Sequence, residues 1–117
     1  MIKIEAIVRE EKAGAVAQAL DDIGINGYTM YNVIGFGVQR GRENMVKGMK
    51  LDTESNPKIK FEIVVSSESW EKLTIDAVRK AAYTGDYGDG NIFSYDIKAA
   101  MKIRTGETGY EALQLQE

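Results

Sequence analysis

The sequence predicts an α+β fold, because the patterns typical of strands and helices alternate in the order β-α-β and then repeat that order. The two predicted helices have similar lengths, and 117 residues is the size of a single domain. Two such units in a short chain favour a split β-α-β, ferredoxin-like sandwich, in which one antiparallel sheet carries both helices on one face. The other face is then expected to be apolar and to be buried against another copy of the chain.

The first unit consists of a strand, a helix and a second strand. Over residues 1–9, apolar residues alternate with charged ones, which is typical of a strand with one buried face. A helix is expected from Lys12 to Gly24. Its apolar residues recur at helical spacing, at Val16, Leu20 and Ile23. Residues 28–34 are rich in aromatic and β-branched side chains and predict the second strand.

The second unit follows a long connection. Residues 58–65 alternate clearly and predict a strand with Phe61 in the core. Ser69 is expected to cap a helix. The predicted buried stripe of that helix consists of Trp70, Leu73, Ala77 and Ala81, with Val78 beside it. The remaining segments are expected to be a turn-rich loop over residues 83–90, a strand over 91–95 and a short strand over 101–104.

Composition and charge exclude several classes of function. Acidic residues outnumber basic ones by 18 to 15, which argues against sequence-independent binding of nucleic acids, because that binding needs a basic surface. The chain has no histidine and no cysteine, so imidazole bases, Ser-His-Asp triads, thiolate nucleophiles and zinc–thiolate sites are excluded. The charged N-terminus resembles neither a signal peptide nor a membrane span, and we expect a cytoplasmic protein without direct membrane insertion.

The connection between the second and third strands is unusually long. Residues 38–56 show no clean hydrophobic period, and Pro57 is expected to end the segment before the third strand. Loops of this length in compact domains are usually functional or disordered. A floppy hairpin connection remains the alternative on the pattern alone.

Glycine-rich clusters and a pair of cations are the candidate ligand-binding features. The clusters are Gly35-Phe36-Gly37, then Gly85 with Gly88-Asp89-Gly90, and then Gly106. Glycines let backbone N–H groups approach a phosphate, although tight turns explain such glycines as well. Lys102 and Arg104 stand two residues apart, so on an extended segment both would leave one face and could bind a polyphosphate. A solvated strand face is the alternative for this pair.

Six ordered motifs span nearly the whole chain. They are Ile4-Glu5-Ala6-Ile7-Val8-Arg9, Gly24-x-x-Gly27-x-Thr29, Val33-x-Gly35-Phe36-Gly37-x-Gln39-x-Gly41, Pro57-Lys58-x-Lys60-x-Glu62-Ile63-Val64-Val65, Thr84-Gly85-x-x-Gly88-Asp89-Gly90-x-Ile92-Phe93 and Ile103-Arg104-Thr105-Gly106-Glu107. With these motifs and their spacing, the chain resembles the PII signal-transduction family. One extra residue in or before the second glycine cluster is the only difference in loop length.

The resemblance implies a ferredoxin-like subunit that assembles as a homotrimer and binds ATP or ADP in the clefts between subunits. It also implies that residues 1–117 form one domain with three functional loops. The T-loop, about residues 38–56, would dock onto a membrane transporter or a metabolic enzyme. The B-loop, about residues 83–90, would hold phosphates with backbone N–H groups. The C-loop, about residues 104–117, would reach in from the neighbouring subunit.

The resemblance further implies the residues of the nucleotide site. Thr29, Glu62 and Val64 would face the base and the sugar. Lys102 and Arg104 would neutralise the phosphates. The full expected set is Thr29, Gly35, Phe36, Gly37, Val38, Gln39, Glu62, Val64, Gly88, Asp89, Gly90, Asn91, Lys102 and Arg104.

A second ligand is implied by the same resemblance. In relatives that sense 2-oxoglutarate, a glutamine at the base of the T-loop and a lysine hold the acid, together with a Mg²⁺ ion on the ATP phosphates. Gln39 matches that glutamine and would be the Mg²⁺ ligand, and Lys58 matches the lysine.

Several positions depart from the family pattern. Val38 and Asn91 stand where the family commonly offers a cation, and Lys102 replaces a usual arginine, so bidentate contacts to phosphate are lost. Glu10-Glu11 replaces the usual Pro-Phe. The T-loop tip reads Lys50-Leu51-Asp52, so we expect no nucleotidyl transfer to a tyrosine there.

The expected function is therefore a non-enzymatic regulator in nitrogen or related metabolism, which senses ATP and ADP and acts on its partner through the T-loop. 2-Oxoglutarate is a further candidate ligand. Two alternatives stay open. The first is a module of the same fold that binds a different metabolite or phosphate. The second is a weak ATP hydrolase in which Asp or Glu activates water.

Overall fold

The computed structural model describes residues 1–36 and 56–113. The helices and strands are β1 (Ile2–Arg9), α1 (Ala13–Asp22), β2 (Thr29–Gly35), β3 (Asn56–Val65), α2 (Glu68–Ala82) and β4 (Asn91–Asp96). Short 3-10 turns lie at Glu10–Lys12 and Gly109–Leu113. This order confirms the predicted repeat of β-α-β. Neither helix in the described ranges is long and apolar enough to cross a membrane.

The four strands form one antiparallel sheet in the order β2-β3-β1-β4. β1 is central, since Ile4 lies opposite Ile63 of β3 on one side and opposite Ser94 of β4 on the other. Helix α1 connects β1 to β2, and α2 connects β3 to β4. Each helix therefore crosses over within a β-α-β unit, which is the predicted split β-α-β, α+β arrangement.

The core lies between the helices and one face of the sheet. Every second residue of β1 and β3 is buried there: Ile2, Ile4, Ala6, Val8, Ile59, Phe61, Ile63 and Val65. The helices cover them with Val16, Leu20, Val78 and Ala82. Phe61 was predicted to be in the core and is fully buried, with its ring centroid 5.5 Å from that of Tyr28. The two-residue period of the strands thus correctly predicted the buried face.

The opposite face of the sheet is mixed and not uniformly apolar as expected, because a charged network lies along β1 and β3 among exposed apolar and aromatic side chains, namely Tyr31, Val64, Phe93 and Tyr95. Lys3 and Glu5 of β1 lie beside Lys60 and Glu62 of β3. Lys3 pairs with Glu62 at 3.2 Å, and Lys60 pairs with Glu5 at 3.3 Å. Because side chains alternate along a strand, burying the apolar residues of β1 and β3 turns these charged residues to the other face. A second copy of the chain that packed on this face would therefore cover ion pairs whose positive and negative charges balance.

Helix α2 begins earlier than expected. Ser67 is the N-cap, and its hydroxyl accepts a hydrogen bond from the N–H of Trp70 at 3.3 Å. Ser69, the predicted cap, lies inside the first turn. Both serines have the right chemistry for a cap, and Ser67 is selected because it is the residue with extended backbone before the helix.

The buried face of α2 also differs from the prediction. The buried residues are Thr74, Val78 and Ala82, whereas Trp70 and Leu73 are 37% and 44% exposed. Of the predicted stripe, Ala77 and Ala81 are half-buried and border the buried residues. The prediction was made from apolar residues alone and did not include Thr74, whose polar hydroxyl has no partner among the described residues.

Residues 101–104 form a turn, so the expected short strand is wrong. Met101 makes a single isolated bridge to Thr108. The N–H of Gly106 donates to the carbonyl of Lys102 at 2.8 Å, and the N–H of Lys102 donates to the carbonyl of Glu107 at 2.8 Å. These two hydrogen bonds reverse the chain between Lys102 and Glu107.

Strand β3 begins two residues earlier than predicted. Asn56 lies opposite Gly35, and Pro57 lies opposite Ile34, so the proline is inside the strand and does not precede it. The rest of the predicted T-loop, and residues 114–117 of the predicted C-loop, lie outside the described residues.

Candidate functional site

The B-loop connects α2 to β4, and the side chain of Asp89 organises it. The Asp89 carboxylate accepts hydrogen bonds from the N–H groups of Thr84 and Gly85, at 2.8 and 2.9 Å, and from the Thr84 hydroxyl. Arg9, at the end of β1, adds an ion pair of 3.0 Å through Nε. The hydrogen bonds from Thr84 hold the pKa of Asp89 far below its usual range, and Gly85 and Arg9 add to this effect. Asp89 is therefore a permanent anion that shapes its own loop.

Two glycines allow the B-loop to approach the sheet. Gly88 and Gly90 have φ angles of +103° and +104°, which side chains disfavour. A Cβ at Gly90 would lie only 1.8 Å from the carbonyl oxygen of Ile7. Any larger residue at this position would push the loop away from β1.

The B-loop also presents three consecutive open N–H groups. Those of residues 88–90 make no hydrogen bond to any described part of the chain. Two carbonyl groups of the same loop are occupied, because Arg9 Nη2 donates to Tyr87 at 2.9 Å and Lys58 Nζ donates to Gly88. A loop with its carbonyls bound and its N–H groups open offers donors to an anion.

Lys58, the residue expected to hold 2-oxoglutarate, lies on β3 next to the B-loop. Burial, and then the nearby charge of Arg9, lower the pKa of Lys58. Its ammonium is bound to the carbonyl of Gly88. A carboxylate ligand would have to share Lys58 with that carbonyl or replace it.

The residues expected at the base and the sugar lie further along the sheet. Thr29 of β2 is directly opposite Glu62 of β3, and Val64 follows on the same face. The hydroxyl of Tyr31 donates to Glu62 at 2.6 Å and Lys3 pairs with it at 3.2 Å, and both lower the pKa of Glu62. Glu62 is thus an ionised acceptor that is already held in place.

One chain does not bring these residues close to the B-loop. The loop contacts β3 at Lys58, and Glu62 and Val64 stand four and six residues further along the strand. At about 3.3 Å per residue, the separation is about 13–20 Å. The Lys60–Glu5 ion pair lies on the same face between the two groups.

Lys102 and Arg104 lie on the C-terminal turn, so the expectation that they share one face of an extended segment is wrong. The ammonium of Lys102 pairs with the Glu107 carboxylate at 3.5 Å. Arg104 is exposed and pairs with no carboxylate in the described part of the chain. Arg104 is therefore the cation of this pair that is available to a ligand.

The structure describes only some of the remaining residues that were expected in the nucleotide site. Gly37, Val38 and Gln39, including the expected Mg²⁺ ligand, lie outside the described residues. Gly35 ends β2, Phe36 is 71% exposed, and Asn91 begins β4 opposite Ile7. Residues 1–36 and 56–113 contain no group of three acidic, histidine or cysteine side chains that could hold a metal. A Mg²⁺ ion would therefore need oxygen ligands from a bound phosphate.

Three residues that contact the expected site, Arg9, Thr84 and Glu107, have no role predicted from the sequence. Arg9 and Thr84 bind Asp89, and Glu107 pairs with the predicted phosphate ligand Lys102. A signal existed for Thr84, since a threonine and an aspartate within a glycine-rich turn commonly hydrogen-bond to the local backbone. No such signal marks Arg9, which is 80 residues from Asp89 along the chain.

The chain forms an α+β domain in which a loop at one end of the four-stranded sheet presents open N–H groups. Such a domain is suited to binding an anion. The family model for nitrogen regulatory protein P-II matches residues 1–107 of the chain. The P-II protein of Bradyrhizobium diazoefficiens is 42% identical over 113 residues, which cover 97% of this chain and 100% of the relative. P-II 1 of Methanothermobacter thermautotrophicus is 44% identical over 113 residues, which cover 97% of each chain.

A solved structure agrees with these relatives. The crystal structure of Arabidopsis thaliana PII bound to citrate matches with a TM-score of 0.76 and 35% identity, over 95% of this chain and 90% of that one. The chain therefore belongs to the P-II family of nitrogen regulatory proteins. The predictions of the family, the fold class and a non-enzymatic regulator are confirmed.

Membership defines what the chain does in general terms. It is a nitrogen regulatory signal-transduction protein, and P-II proteins sense ATP, ADP and 2-oxoglutarate without being enzymes. The family generally binds ATP or ADP with Mg²⁺. It also implies a homotrimer and regulated target proteins.

Proposed function

We propose that this chain reports the adenine-nucleotide state to a partner protein by binding ATP or ADP in clefts between the subunits of a homotrimer. The observation that carries the proposal is the run of open N–H groups at residues 88–90. The charge of Asp89 in the same loop is neutralised by Arg9 at 3.0 Å, so it does not repel a phosphate strongly. Backbone donors of this kind bind phosphate without a basic side chain.

The proposed site draws on two copies of the chain. The B-loop and Gly35 would come from one copy, and Thr29, Glu62 and Val64 would come from its neighbour. Support comes from the separation of about 13–20 Å between these groups within one chain. The ion pair between Lys60 and Glu5, which lies between them, already satisfies its own charges.

The phosphate contacts would be few. Arg104 is unpaired within the described residues, whereas Lys102 is shared with Glu107. Asn91 and Val38 bring no charge. Since each charge-assisted hydrogen bond is worth roughly 1.5–3 kcal/mol, we propose binding in the micromolar range, about −8 kcal/mol, with little preference for ATP over ADP.

2-Oxoglutarate is proposed as a second, coupled ligand, held by Gln39 and Lys58 with a Mg²⁺ ion on the nucleotide phosphates. Its support is the position of Lys58, a half-buried cation at the edge of the B-loop. The cost is the loss of the contact between Lys58 and the carbonyl of Gly88. The weak phosphate contacts also limit how firmly a Mg²⁺ ion would be held between nucleotide and acid.

The proposed output is a contact between residues 38–56 and a membrane transporter or a metabolic enzyme in the cytoplasm. The segment combines basic residues with acidic ones, at Arg40, Arg42, Lys47 and Lys50 and at Glu43, Asp52 and Glu54. Its charges fit a polar target surface and do not identify the partner.

A module that binds another phosphate or metabolite is the second candidate function. It is favoured by the pairing of Lys102 with Glu107 and by the neutral Asn91, which weaken the case for a polyphosphate. The two functions differ in which ligand stabilises the protein.

Thermal denaturation with ATP, ADP, UTP, pyrophosphate and citrate, each at the same concentration, tests the proposed function. ATP and ADP should raise the melting temperature, because a ligand at a hundredfold excess over its Kd adds about 2.7 kcal/mol of stability. UTP is the matched control for the base and should have a smaller effect. Stabilisation by pyrophosphate or citrate, with none by ATP or ADP, would favour the second function.

A further inference from the structure

We propose that this protein has a second ligand site, a cavity on the helix-covered side of the sheet that takes a small carboxylic acid with an apolar body. The cavity has a volume of about 350 Å³ and lies between the last turns of α2 and the adjoining ends of β1 and β4. That volume is at the lower end of the range for small-molecule pockets, about 300–1,000 Å³.

The inner wall of this cavity is apolar. Val8 and Ala82 are buried, and Ile75 and Ile92 are half-buried. The outer part of the lining consists of Arg79 and Tyr83, which are both exposed. A ligand with an apolar body and one polar end would match this order from inside to outside.

The end of α2 explains why the cavity is not filled. Ile75, Arg79 and Ala82 stand at helical spacing and face it together. The side chain of Ala82 is only a methyl group and is too small to fill the space. The next residue, Tyr83, leaves the helix with an extended backbone and is 57% exposed, so its ring does not fill the cavity.

The charge at the cavity favours an anion. The guanidinium of Arg79 lies 5.4 Å from the centroid of the Tyr83 ring, and it pairs with no carboxylate among residues 1–36 and 56–113. Asp89 also lines the cavity, but its carboxylate is bound by Thr84, Gly85 and Arg9. Arg79 is therefore the group with unused charge, and a guanidinium binds a carboxylate well.

The cavity is distinct from the residues proposed to hold the nucleotide base and sugar. Val8 belongs to the face of the sheet that the helices cover, and Ile92 is opposite Ala6 on that face. Thr29 and Glu62 lie on the opposite, charged face. The sheet thus separates the cavity from the base and sugar residues, whereas Asp89, Gly90 and Asn91, which belong to the expected phosphate-binding part of the nucleotide site, also line one edge of the cavity.

The test uses the nucleotide-free protein and two probes of the same shape, 3-phenylpropionate and its neutral amide. Calorimetry should give a Kd of about 1 mM or lower for the acid and a Kd at least fivefold higher for the amide. In NMR spectra, the acid should shift the methyl signals of Ile75 and Ile92. Because no nucleotide is present, failure of this test and failure of the proposed function are distinguishable.

Two variants and one control variant separate the contribution of charge to binding from that of shape. Arg79→Gln should reduce the affinity for the acid to that for the amide, whereas Lys80→Gln, a neighbouring exposed cation that does not line the cavity, should leave the affinity unchanged. Ile75→Phe should weaken binding of both probes. If Ile75→Phe does not fold, the affinity of Arg79→Gln for the acid still tests the proposed site.

Three results would overturn the proposal. The first is that the acid does not bind at 10 mM, a concentration about tenfold above the expected limit. The second is that acid and amide bind with equal affinity. The third is that the acid shifts NMR signals only of residues on the charged face of the sheet.

Discussion

Asp89 stabilises the B-loop through its charge as well as its shape. Four donors converge on its carboxylate, from Thr84 twice, from Gly85 and from Arg9. Arg9 belongs to β1, so this one carboxylate links the loop to the central strand of the sheet. The three open N–H groups at residues 88–90 depend on that link for their position.

Asp89→Asn should destabilise the protein at neutral pH by about 1–3 kcal/mol, because hydrogen bonds to a charged acceptor are lost. The folded pKa of Asp89 lies below its ordinary value of 3.8. The stabilisation is therefore fully present above that value and is lost as the pH falls through the folded pKa. Urea denaturation at several pH values measures this.

The matched control is Asp86→Asn, in the same loop, whose carboxylate accepts none of these hydrogen bonds. It should change stability by less than about 0.5 kcal/mol. A difference between wild type and Asp89→Asn that stays constant from pH 7 down to pH 3 would contradict a role for the charge.

Glu107→Gln should strengthen nucleotide binding, by up to about fivefold. Glu107 holds the Lys102 ammonium at 3.5 Å, and an ion pair of this exposure is worth about 0.2–1 kcal/mol. Removing its charge frees Lys102 for the phosphates. Calorimetry with ADP measures the effect, with Glu111→Gln as the control in the adjacent 3-10 turn. Weaker or unchanged binding in Glu107→Gln would mean that Lys102 does not reach the nucleotide.

At the residue level, the sequence predicted the position of the B-loop better than the contacts that hold it in place. The motif Gly88-Asp89-Gly90 identified the loop, and the approach of Gly90 to Ile7 explains the second glycine. The contacts of Arg9 with Asp89 and Tyr87, and of Lys58 with Gly88, could not be predicted. They join residues 78 to 80 and 30 positions apart, and they depend on how the strands pair.

The strands were predicted closely, whereas α2 and the C-terminal turn were not. A strand has only two faces, so alternation is enough to choose the buried one. A helix has a continuous range of faces, and the choice of Thr74 over Leu73 depends on where α2 lies on β1. The turn at Lys102 depends on two backbone hydrogen bonds that leave no pattern in the side chains.

The N-cap of α2 gives a prediction for one element. Ser67→Ala should lower the free energy of unfolding by about 1 kcal/mol, since the N–H of Trp70 loses its acceptor. Ser69→Ala, inside the first turn, should cost less than about 0.5 kcal/mol. Urea denaturation monitored by circular dichroism measures both. An equal or larger loss in Ser69→Ala would mean that the cap is misassigned.

At the scale of the molecule, the charged face of the sheet changes how assembly is understood. The middle of the face predicted to be apolar holds Lys3, Glu5, Lys60 and Glu62, two cations and two anions in ion-pair contact. Burying this network in a trimer would remove charges from water, which gives little net stability while demanding exact register. Exposed apolar side chains, such as Phe93 opposite Glu5 on the same face and Ile103 on the C-terminal turn, are available to drive association.

The proposed homotrimer predicts the mass of the particle in solution. Light scattering at micromolar concentration should give about three times the chain mass of 13.0 kDa. Lys60→Glu, which places like charges beside Glu5 and Glu62, should shift the particle toward smaller species. A wild-type particle of 13.0 kDa would rule out a site built from two copies of the chain.

Calorimetric titration of ATP and ADP into the wild type and into Arg104→Ala tests the central claim, that the B-loop and Arg104 bind the phosphates of an adenine nucleotide. Both nucleotides should bind in the micromolar range with similar affinity, and Arg104→Ala should weaken both about tenfold or more, as expected for a lost contact of 1.5 kcal/mol or more. Lys80→Ala, an exposed cation in the last turn of α2, should bind like the wild type. Undiminished affinity in Arg104→Ala, or wild-type ATP binding about a hundredfold tighter than ADP, would contradict the account.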